Sequence, residues 1–101
     1  MTLPNGYEMT TTFWEDFSIA DIFGIEAIKD TFNRAFNEWK TDYIYLTELV
    51  IVLNYKIWFW YERNGECEQS TLYNELWSKA DAYAIDNLHG EEKDFFLRIT
   101  D

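Results

Sequence analysis

Residues 43–61 read YIYLTELVIVLNYKIWFWY, a run whose two charged residues are Glu48 and Lys56. A helix built from this run is apolar nearly all round, which is typical of a helix surrounded by others. The run is also long enough to cross a membrane, but a charge near the centre of a span costs about 2.5 to 3.5 kcal/mol. We therefore predict that this segment is the central helix of a helical fold and not a membrane span.

The same run is rich in β-branched and aromatic residues, which favour strands. No glycine or proline divides it, and the segments on both sides have helical patterns. Thr41 and Asp42 precede the run as N-cap candidates, and Asn64-Gly65 supplies a stop. We expect one unbroken helix from Tyr43 to about Arg63.

Apolar residues recur with a period of 3.6 on both sides of the central run, and each recurrence predicts an amphipathic helix. The first helix is expected to open at a capping box formed by Thr12 and Glu15 and to close at Gly24. The buried face of the first helix is expected to consist of Phe13, Phe17 and Ala20. That of the second is expected to consist of Ile25, Ile28, Phe32, Ala35, Phe36 and Trp39. That of the fourth is expected to consist of Tyr73, Leu76, Trp77, Ala80, Ala84 and Leu88.

The boundaries of the last two helices follow from their capping signals. Ser70 or Thr71 is expected to cap the fourth helix, which ends at His89-Gly90. Glu91 and Glu92 suit the positive N-terminal end of a last short helix.

These segments together predict an all-α fold, a compact single-domain bundle of four to five helices around the central helix. The chain of 101 residues, 48% of them hydrophobic, is large enough to bury such a core without disulfides or metal. The domain is expected to span residues 1–101, with residues 1–10 allowed as a loose N-terminal arm.

The net charge of −11 is concentrated in two segments. Residues 1–28 carry five acids and no base, and residues 64–92 carry seven acids and one lysine, whereas residues 29–63 are balanced. If the two acidic segments lie near each other, the surface has an acidic zone that repels nucleic acid and anionic lipid and attracts basic surfaces. We therefore expect no direct binding to nucleic acid or membrane, and a basic protein surface as the partner.

The N-terminal residues show neither the charged and apolar regions of a signal peptide nor a lipidation motif. Cys67 is the single cysteine, so no internal disulfide can form and nothing indicates an oxidising compartment. We expect a cytoplasmic protein.

Few residues are suited to catalysis. His89 is the single histidine, and its expected place at a helix C-terminus explains it without chemistry. Cys67 lies between two glutamates, whose charges are expected to raise the pKa of its thiol and to weaken it as a nucleophile. Carboxylate pairs occur without a calcium loop or partnering histidines. With no phosphate loop, dinucleotide fingerprint or nucleophile elbow either, the sequence predicts no catalytic, metal-binding or cofactor-binding residue.

Aromatic and acidic residues are the candidates for partner binding. Twenty aromatic side chains represent more surface than a bundle of this size can enclose, so some are expected to be exposed. The expected aromatic contacts are Trp14, Tyr55 and Phe59, with Tyr7, Tyr45 and Tyr61 as further candidates for exposure. The expected acidic contacts are Glu15, Asp16, Asp21, Glu68, Glu75, Asp81 and Asp86. The spacings from Glu68 to Glu75 and from Glu75 to Asp86 are close to two and three helical turns, so these acids project to one side.

Three stretches carry a resemblance: FWEDFSIAD at 13–21, KDTFNRAF at 29–36 and TELV at 47–50. They resemble small acidic proteins carried by phages and conjugative elements of gut bacteria. The resemblance names no activity and transfers no site residue. It implies a bacterial host and a setting in which short acidic proteins often act against restriction or CRISPR systems, with a nucleic-acid-binding host protein as the partner.

The residue patterns and the resemblance favour a non-enzymatic acidic protein-binding domain of a mobile genetic element. Mimicry of nucleic acid, by rows of carboxylates that imitate phosphates, is its most specific form. A small homo-oligomerising module with exposed aromatics, including a homodimer through the central helix, is the alternative, and an enzyme is the least favoured class.

Overall fold

The computed structural model describes residues 1–100, which form five helices and no strand. The helices are α1 (Phe13–Phe23), α2 (Ile25–Trp39), α3 (Tyr43–Asn64), α4 (Glu68–Asn87) and α5 (Gly90–Thr100). The prediction of an all-α bundle is therefore confirmed.

Helix α3 lies at the centre of the bundle and packs against each of the other four helices. Every residue from Leu46 to Leu53 is buried, because neighbours cover this part of α3 on all sides. Helix α4 runs beside α3 over the longest interface, while α1 and α2 pack as a second pair. The predicted central role of the 43–61 run is confirmed.

The ends of α3 follow the predicted capping signals. The carboxylate of Asp42 accepts hydrogen bonds from the backbone N–H groups of Ile44 and Tyr45 at 3.0 and 3.1 Å. At the other end the chain passes Gly65 with a φ of 67°, a left-handed conformation that glycine adopts without strain. The Asp42 cap explains why the helix begins at Tyr43, and the conformation of Gly65 explains why it ends at Asn64, one residue beyond the predicted Arg63.

The predicted capping box of α1 is wrong. Thr12 is the N-cap residue, but its side chain makes no capping hydrogen bond. Its hydroxyl donates instead to the carboxylate of Asp16 at 3.2 Å, which leaves Glu15 without the reciprocal role that the sequence suggested. Gly24 separates α1 from α2, as expected.

The predicted boundaries of α4 also need correction. The helix begins at Glu68 with Cys67 as its N-cap, because the hydroxyl of Ser70 reaches back to accept the backbone N–H of Cys67 at 2.9 Å. Ser70 is thus the third helical residue and not the cap. At the other end α4 stops at Asn87, and Gly90 is the first residue of α5.

Most residues of the faces predicted to be buried form the core, whereas Ile25, Trp39, Leu76 and Trp77 are half-buried and pack against it. Phe13, Phe17 and Ala20 of α1 are buried together with Ile28, Phe32, Ala35 and Phe36 of α2 and with Tyr73, Ala80, Ala84 and Leu88. Leu72 joins them, although the predicted stripe of α4 did not include it. Tyr73 packs edge-on against Phe17 with ring centroids 5.9 Å apart, and this contact joins α4 to α1.

Residues 1–10, which the sequence allowed as a loose arm, and the adjoining Thr11 are attached to α3 through Glu48. This glutamate is completely buried. Its carboxylate accepts the backbone N–H groups of Thr10 and Thr11 at 2.8 and 2.9 Å, their hydroxyls at 2.7 and 2.9 Å, and the Tyr7 hydroxyl at 2.7 Å. Leu3 is also buried, so the arm is a packed part of the bundle.

The hydrogen bonds around Glu48 determine which groups carry charge. Burial raises the pKa of the Glu48 carboxyl, but the hydrogen bonds from Thr10, Tyr7 and Thr11 outweigh it and bring the pKa below its ordinary value. Burial and the bond to Glu48 raise the pKa of the Tyr7 hydroxyl. The arm is therefore held by an ionised carboxylate and a neutral phenol.

Candidate functional site

The acidic residues predicted for partner binding belong to two helices, α1 and α4, whose backbones lie apart. No Cα atom of α1 lies within 8 Å of a Cα atom of α4. The two helices meet through long side chains, where Tyr73 of α4 donates a hydrogen bond to Asp21 of α1. The acids of α1 and α4 therefore form two groups, one on each helix.

Asp21, one of the predicted acidic contacts, is used inside the bundle. Its carboxylate pairs with the Lys56 ammonium at 2.9 Å, and the two side chains are only 9% and 1% exposed. Lys56 also donates to the hydroxyl of Ser18 at 3.0 Å, and Tyr73 donates to the second oxygen of Asp21. Burial and the bond to Asp21 raise the pKa of the Tyr73 hydroxyl. Asp21 is thus neutralised by a partner and does not contribute to an acidic surface.

Two of the predicted aromatic contacts, Trp14 and Phe59, enclose the same lysine. The Lys56 Nζ lies 4.2 Å from the Trp14 ring centroid and 4.7 Å from that of Phe59. The two rings meet edge-on at 6.2 Å, and both are half-buried. A cation over two aromatic faces is stabilised by their quadrupoles. These rings therefore support the buried ion pair, and their role as partner contacts stays a prediction.

Three predicted acids of α4 form a straight row. Glu68, Glu75 and Asp86 are exposed and lie within roughly 20° of one another around the helix axis. Asp81 is roughly 140° away on the flank of the buried face and is half-buried. Desolvation raises the pKa of its carboxyl. The row therefore consists of three carboxylates, and Asp81 belongs to a different surface.

The most exposed large apolar side chains are on α1, at positions that the sequence analysis did not select. Ile22 is 81% exposed, Phe23 is 78% exposed and Ile19 is 57% exposed. At about 100° per residue, Ile22 lies opposite the buried Phe13 face, and Ile19 and Phe23 lie on one flank between Ile22 and that face. Glu15 and Asp16 continue this exposed side toward the helix N-terminus. Exposed apolar residues that lie together, rather than singly, are typical of an interaction surface.

A groove of about 910 Å³ runs between α1 and α2 beside this apolar side. Its charged lining residues are three acids and one base: Asp16, Asp30, Glu38 and Arg34. Ile19 and Phe23 form part of its α1 wall, and Trp39 lines it from α2. The groove therefore combines an apolar wall with a net negative charge.

A second cleft, of about 540 Å³, lies where the N-terminal arm, α3, α4 and α5 meet. It contains Tyr55, the third predicted aromatic contact, together with Trp77 and Asp81. Tyr55 and Trp77 are half-buried. This cleft brings together one residue from the predicted acidic set and one from the predicted aromatic set.

Cys67 and His89 are the two residues that the sequence analysis considered for catalysis. Cys67 Sγ lies 3.5 Å from the Ser70 hydroxyl, and this contact lowers the pKa of the Cys67 thiol. The predicted rise was wrong because it considered the neighbouring glutamates and not the turn that begins α4. His89 is exposed in the link between α4 and α5.

Among residues 1–100, no three histidine, cysteine or carboxylate side chains come together as metal ligands. Within the same residues, none of the five helices has both the length and the apolar character that a membrane span requires.

Comparisons with protein-family models, with curated proteins and with solved structures find no match to this chain.

Proposed function

We propose that this chain is a non-enzymatic protein-binding domain and that the groove between α1 and α2, with the exposed side of α1, is its binding surface. The observation that carries the proposal is the exposure of Ile19, Ile22 and Phe23 on one side of a single helix. Burying a side chain of this size in an interface stabilises a complex by about 1.5–3 kcal/mol. A folded domain gains nothing from leaving three of them in water.

The charges around the groove indicate the chemistry of the partner. Asp16, Asp30 and Glu38 outnumber Arg34, and the ion pairs within 4.0 Å among residues 1–100 include none of these four. A partner segment that presents an apolar face flanked by lysine or arginine therefore matches both properties of the groove. The apolar contacts supply the affinity, and the acids guide the encounter and its orientation.

A synthetic amphipathic helix of leucine and lysine is the probe that tests this proposal, with a leucine and glutamate helix as its control. Backbone amide shifts in nuclear magnetic resonance spectra report where each peptide binds. We expect the basic peptide to shift residues of α1 and α2 around the groove and the acidic peptide to shift none. Shifts centred on α4 or α5 would contradict the proposed surface.

The matched variants are Phe23→Ser and Leu97→Ser. Phe23 lies on the proposed surface, whereas Leu97 is exposed on α5 at 46%. Phe23→Ser is expected to weaken binding of the basic peptide at least about tenfold, which is about 1.4 kcal/mol. Equal weakening by Leu97→Ser would show that binding is not confined to the groove. A photo-crosslinking residue at Ile22 then identifies the natural partner in the cells that express the protein.

Mimicry of nucleic acid is the second candidate, and the straight row on α4 favours it. From the rise of an α-helix, Glu68, Glu75 and Asp86 are spaced at roughly 10 and 16 Å along the axis. This is a sparse imitation of a phosphate strand. An inhibitor that fills the basic groove of a host restriction or CRISPR protein would place this row against the groove.

Salt dependence separates the two candidates. A mimic that replaces phosphates on a basic groove loses affinity steeply between about 50 and about 200 mM salt. When apolar contacts of α1 supply the affinity and acids only guide the encounter, the affinity changes little over the same range of salt. A flat salt response of the complex with the natural partner would rule out mimicry.

A further inference from the structure

The cleft between the N-terminal arm, α3, α4 and α5 has features of a small-molecule site. Its volume of about 540 Å³ lies within the range of about 300–1,000 Å³ that ligand pockets occupy. Its apolar lining includes the buried residues Leu3, Val50 and Ile51. The more accessible lining residues include Tyr55, Trp77, Asn54 and Asp81.

Asp81 is the single charged residue among those that line this cleft. Among residues 1–100 its carboxylate makes neither an ion pair within 4.0 Å nor a side-chain hydrogen bond. The nearby Lys79 lies on another side of α4, with its Nζ over the rings of Phe32 and Phe36 at 5.8 and 5.6 Å. A half-buried carboxylate without a cation leaves the cleft negative and lacking a positive partner.

We propose that this cleft binds an alkylammonium group, with Asp81 as its counter-ion and the rings of Tyr55 and Trp77 beside its alkyl part. The carboxylate of Asp81 accepts N–H bonds from the ammonium, and such charge-assisted bonds are among the stronger ones in proteins. The amide oxygen of Asn54 is a further acceptor in the lining. Tyrosine and tryptophan faces attract cations, and apolar walls suit the carbon chain.

This inference is independent of the groove between α1 and α2. The two sites share no lining residue. Either one can therefore fail without affecting the other.

The probe is n-butylammonium, titrated into the full chain and followed by amide and indole N–H shifts in nuclear magnetic resonance spectra. The Trp77 indole signal is assigned with Trp77→Phe. We expect saturable shifts at Trp77 and at the backbone of Asn54, Tyr55 and Asp81. n-Butanol, which has the same carbon chain without charge, is expected to bind at least about tenfold more weakly, or about 1.4 kcal/mol.

The test variant is Asp81→Asn, and its control is Asp86→Asn on the exposed row of the same helix. Because Asp81 holds no internal partner, its replacement is expected to leave the fold intact, and an unchanged spectrum of the core residues would verify this. Asp81→Asn is expected to weaken n-butylammonium binding at least about tenfold, whereas Asp86→Asn leaves it unchanged. Equal binding to Asp81→Asn, equal binding of n-butanol, or no shifts in the cleft would each overturn the proposal.

Discussion

Replacing Glu48 by glutamine keeps the size of this buried side chain and removes its charge. In the wild-type chain both carboxylate oxygens are fully used, with five hydrogen bonds from the N-terminal arm. Glutamine offers one oxygen and one NH₂ group in the same space. The hydroxyls of Tyr7 and Thr10, which donate to the same oxygen, must then turn to accept, and no bond retains an ionised acceptor.

The expected loss follows from the number of bonds. A hydrogen bond to a charged group contributes about 1.5–3 kcal/mol against about 0.5–1.5 kcal/mol for a neutral pair, so each bond loses about 1 kcal/mol. A neutral amide is easier to bury than a carboxylate, which offsets part of this loss. We expect Glu48→Gln to lower the free energy of unfolding by about 2–4 kcal/mol, a large share of the about 5–15 kcal/mol of a typical domain.

The loss must also depend on pH. The pKa of Glu48 in the folded chain lies below its ordinary value of 4.5, which the unfolded chain retains. As the pH falls toward and below 4.5, the unfolded chain binds the proton first, so the contribution of Glu48 to stability decreases until the folded pKa is passed. The difference between wild type and Glu48→Gln is therefore largest at neutral pH and shrinks in acid.

Urea unfolding, followed by far-ultraviolet circular dichroism at several pH values, measures both effects. Glu62→Gln is the matched control, because Glu62 is exposed near the end of the same helix. It is expected to change the free energy of unfolding by less than about 0.5 kcal/mol. A Glu48→Gln protein as stable as this control at neutral pH, or a difference that persists unchanged in acid, would refute the role assigned to the carboxylate.

Four other outcomes are expected. Leu53→Asp, which places a charge at a fully buried position of α3, should abolish cooperative unfolding, whereas Ile22→Asp at an exposed position should cost less than about 0.5 kcal/mol. Trp14→Ala should lower the unfolding free energy by about 2–4 kcal/mol in urea titrations, because Trp14 covers the buried ammonium, and an unchanged midpoint would contradict this. The pKa of Tyr73 in the folded chain is raised above the ordinary value of 10.0. Its contribution to stability should therefore be complete below pH 10.0 and decrease as the pH rises above it. Alkaline urea titrations of wild type and Tyr73→Phe can measure this decrease. Glu75→Lys should slow association with the natural partner only if the α4 row contacts it, so an unchanged on-rate in surface plasmon resonance would count against mimicry.

The helical segments, the ends of α3 and the core faces were predictable because their signals are local, whereas the caps of α1 and α4 were not. The period of α2 places Ile28, Phe32 and Phe36 on one face, and that face is buried. The long apolar run of α3 can be removed from water on all sides only at the centre of the bundle. Both features depend on neighbours a few residues apart, which a single sequence displays directly.

The roles of Glu48 and Lys56 could not be predicted, although both residues stood out as charges in an apolar run. Their partners lie 35 to 41 residues away in the chain. No local pattern identifies which carboxylate meets which lysine or which threonine meets which glutamate. For the same reason the internal ion pair of Asp21 with Lys56 could not be predicted.

The exposed side of α1 was missed for a different reason. From the sequence, aromatic side chains are expected to be the exposed apolar residues, so the aliphatic residues Ile19 and Ile22 are not selected. A usable signal was nevertheless present: at about 100° per residue, Ile22 lies opposite the predicted core face of Phe13 and Phe17, with Ile19 and Phe23 on one flank. When a short helix carries apolar residues on two sides, the core covers one side and the other stays exposed to solvent.

The burial of Lys56 makes this lysine a chemical reporter of unfolding. The chain has five lysines, and an acylating reagent needs a free, accessible amine to react with any of them. Lys56, 1% exposed and held by Asp21, should resist such a reagent while the bundle is folded, whereas the other four should react. Mass spectrometry of the labelled chain would thus show how often the centre of the bundle opens, without any mutation.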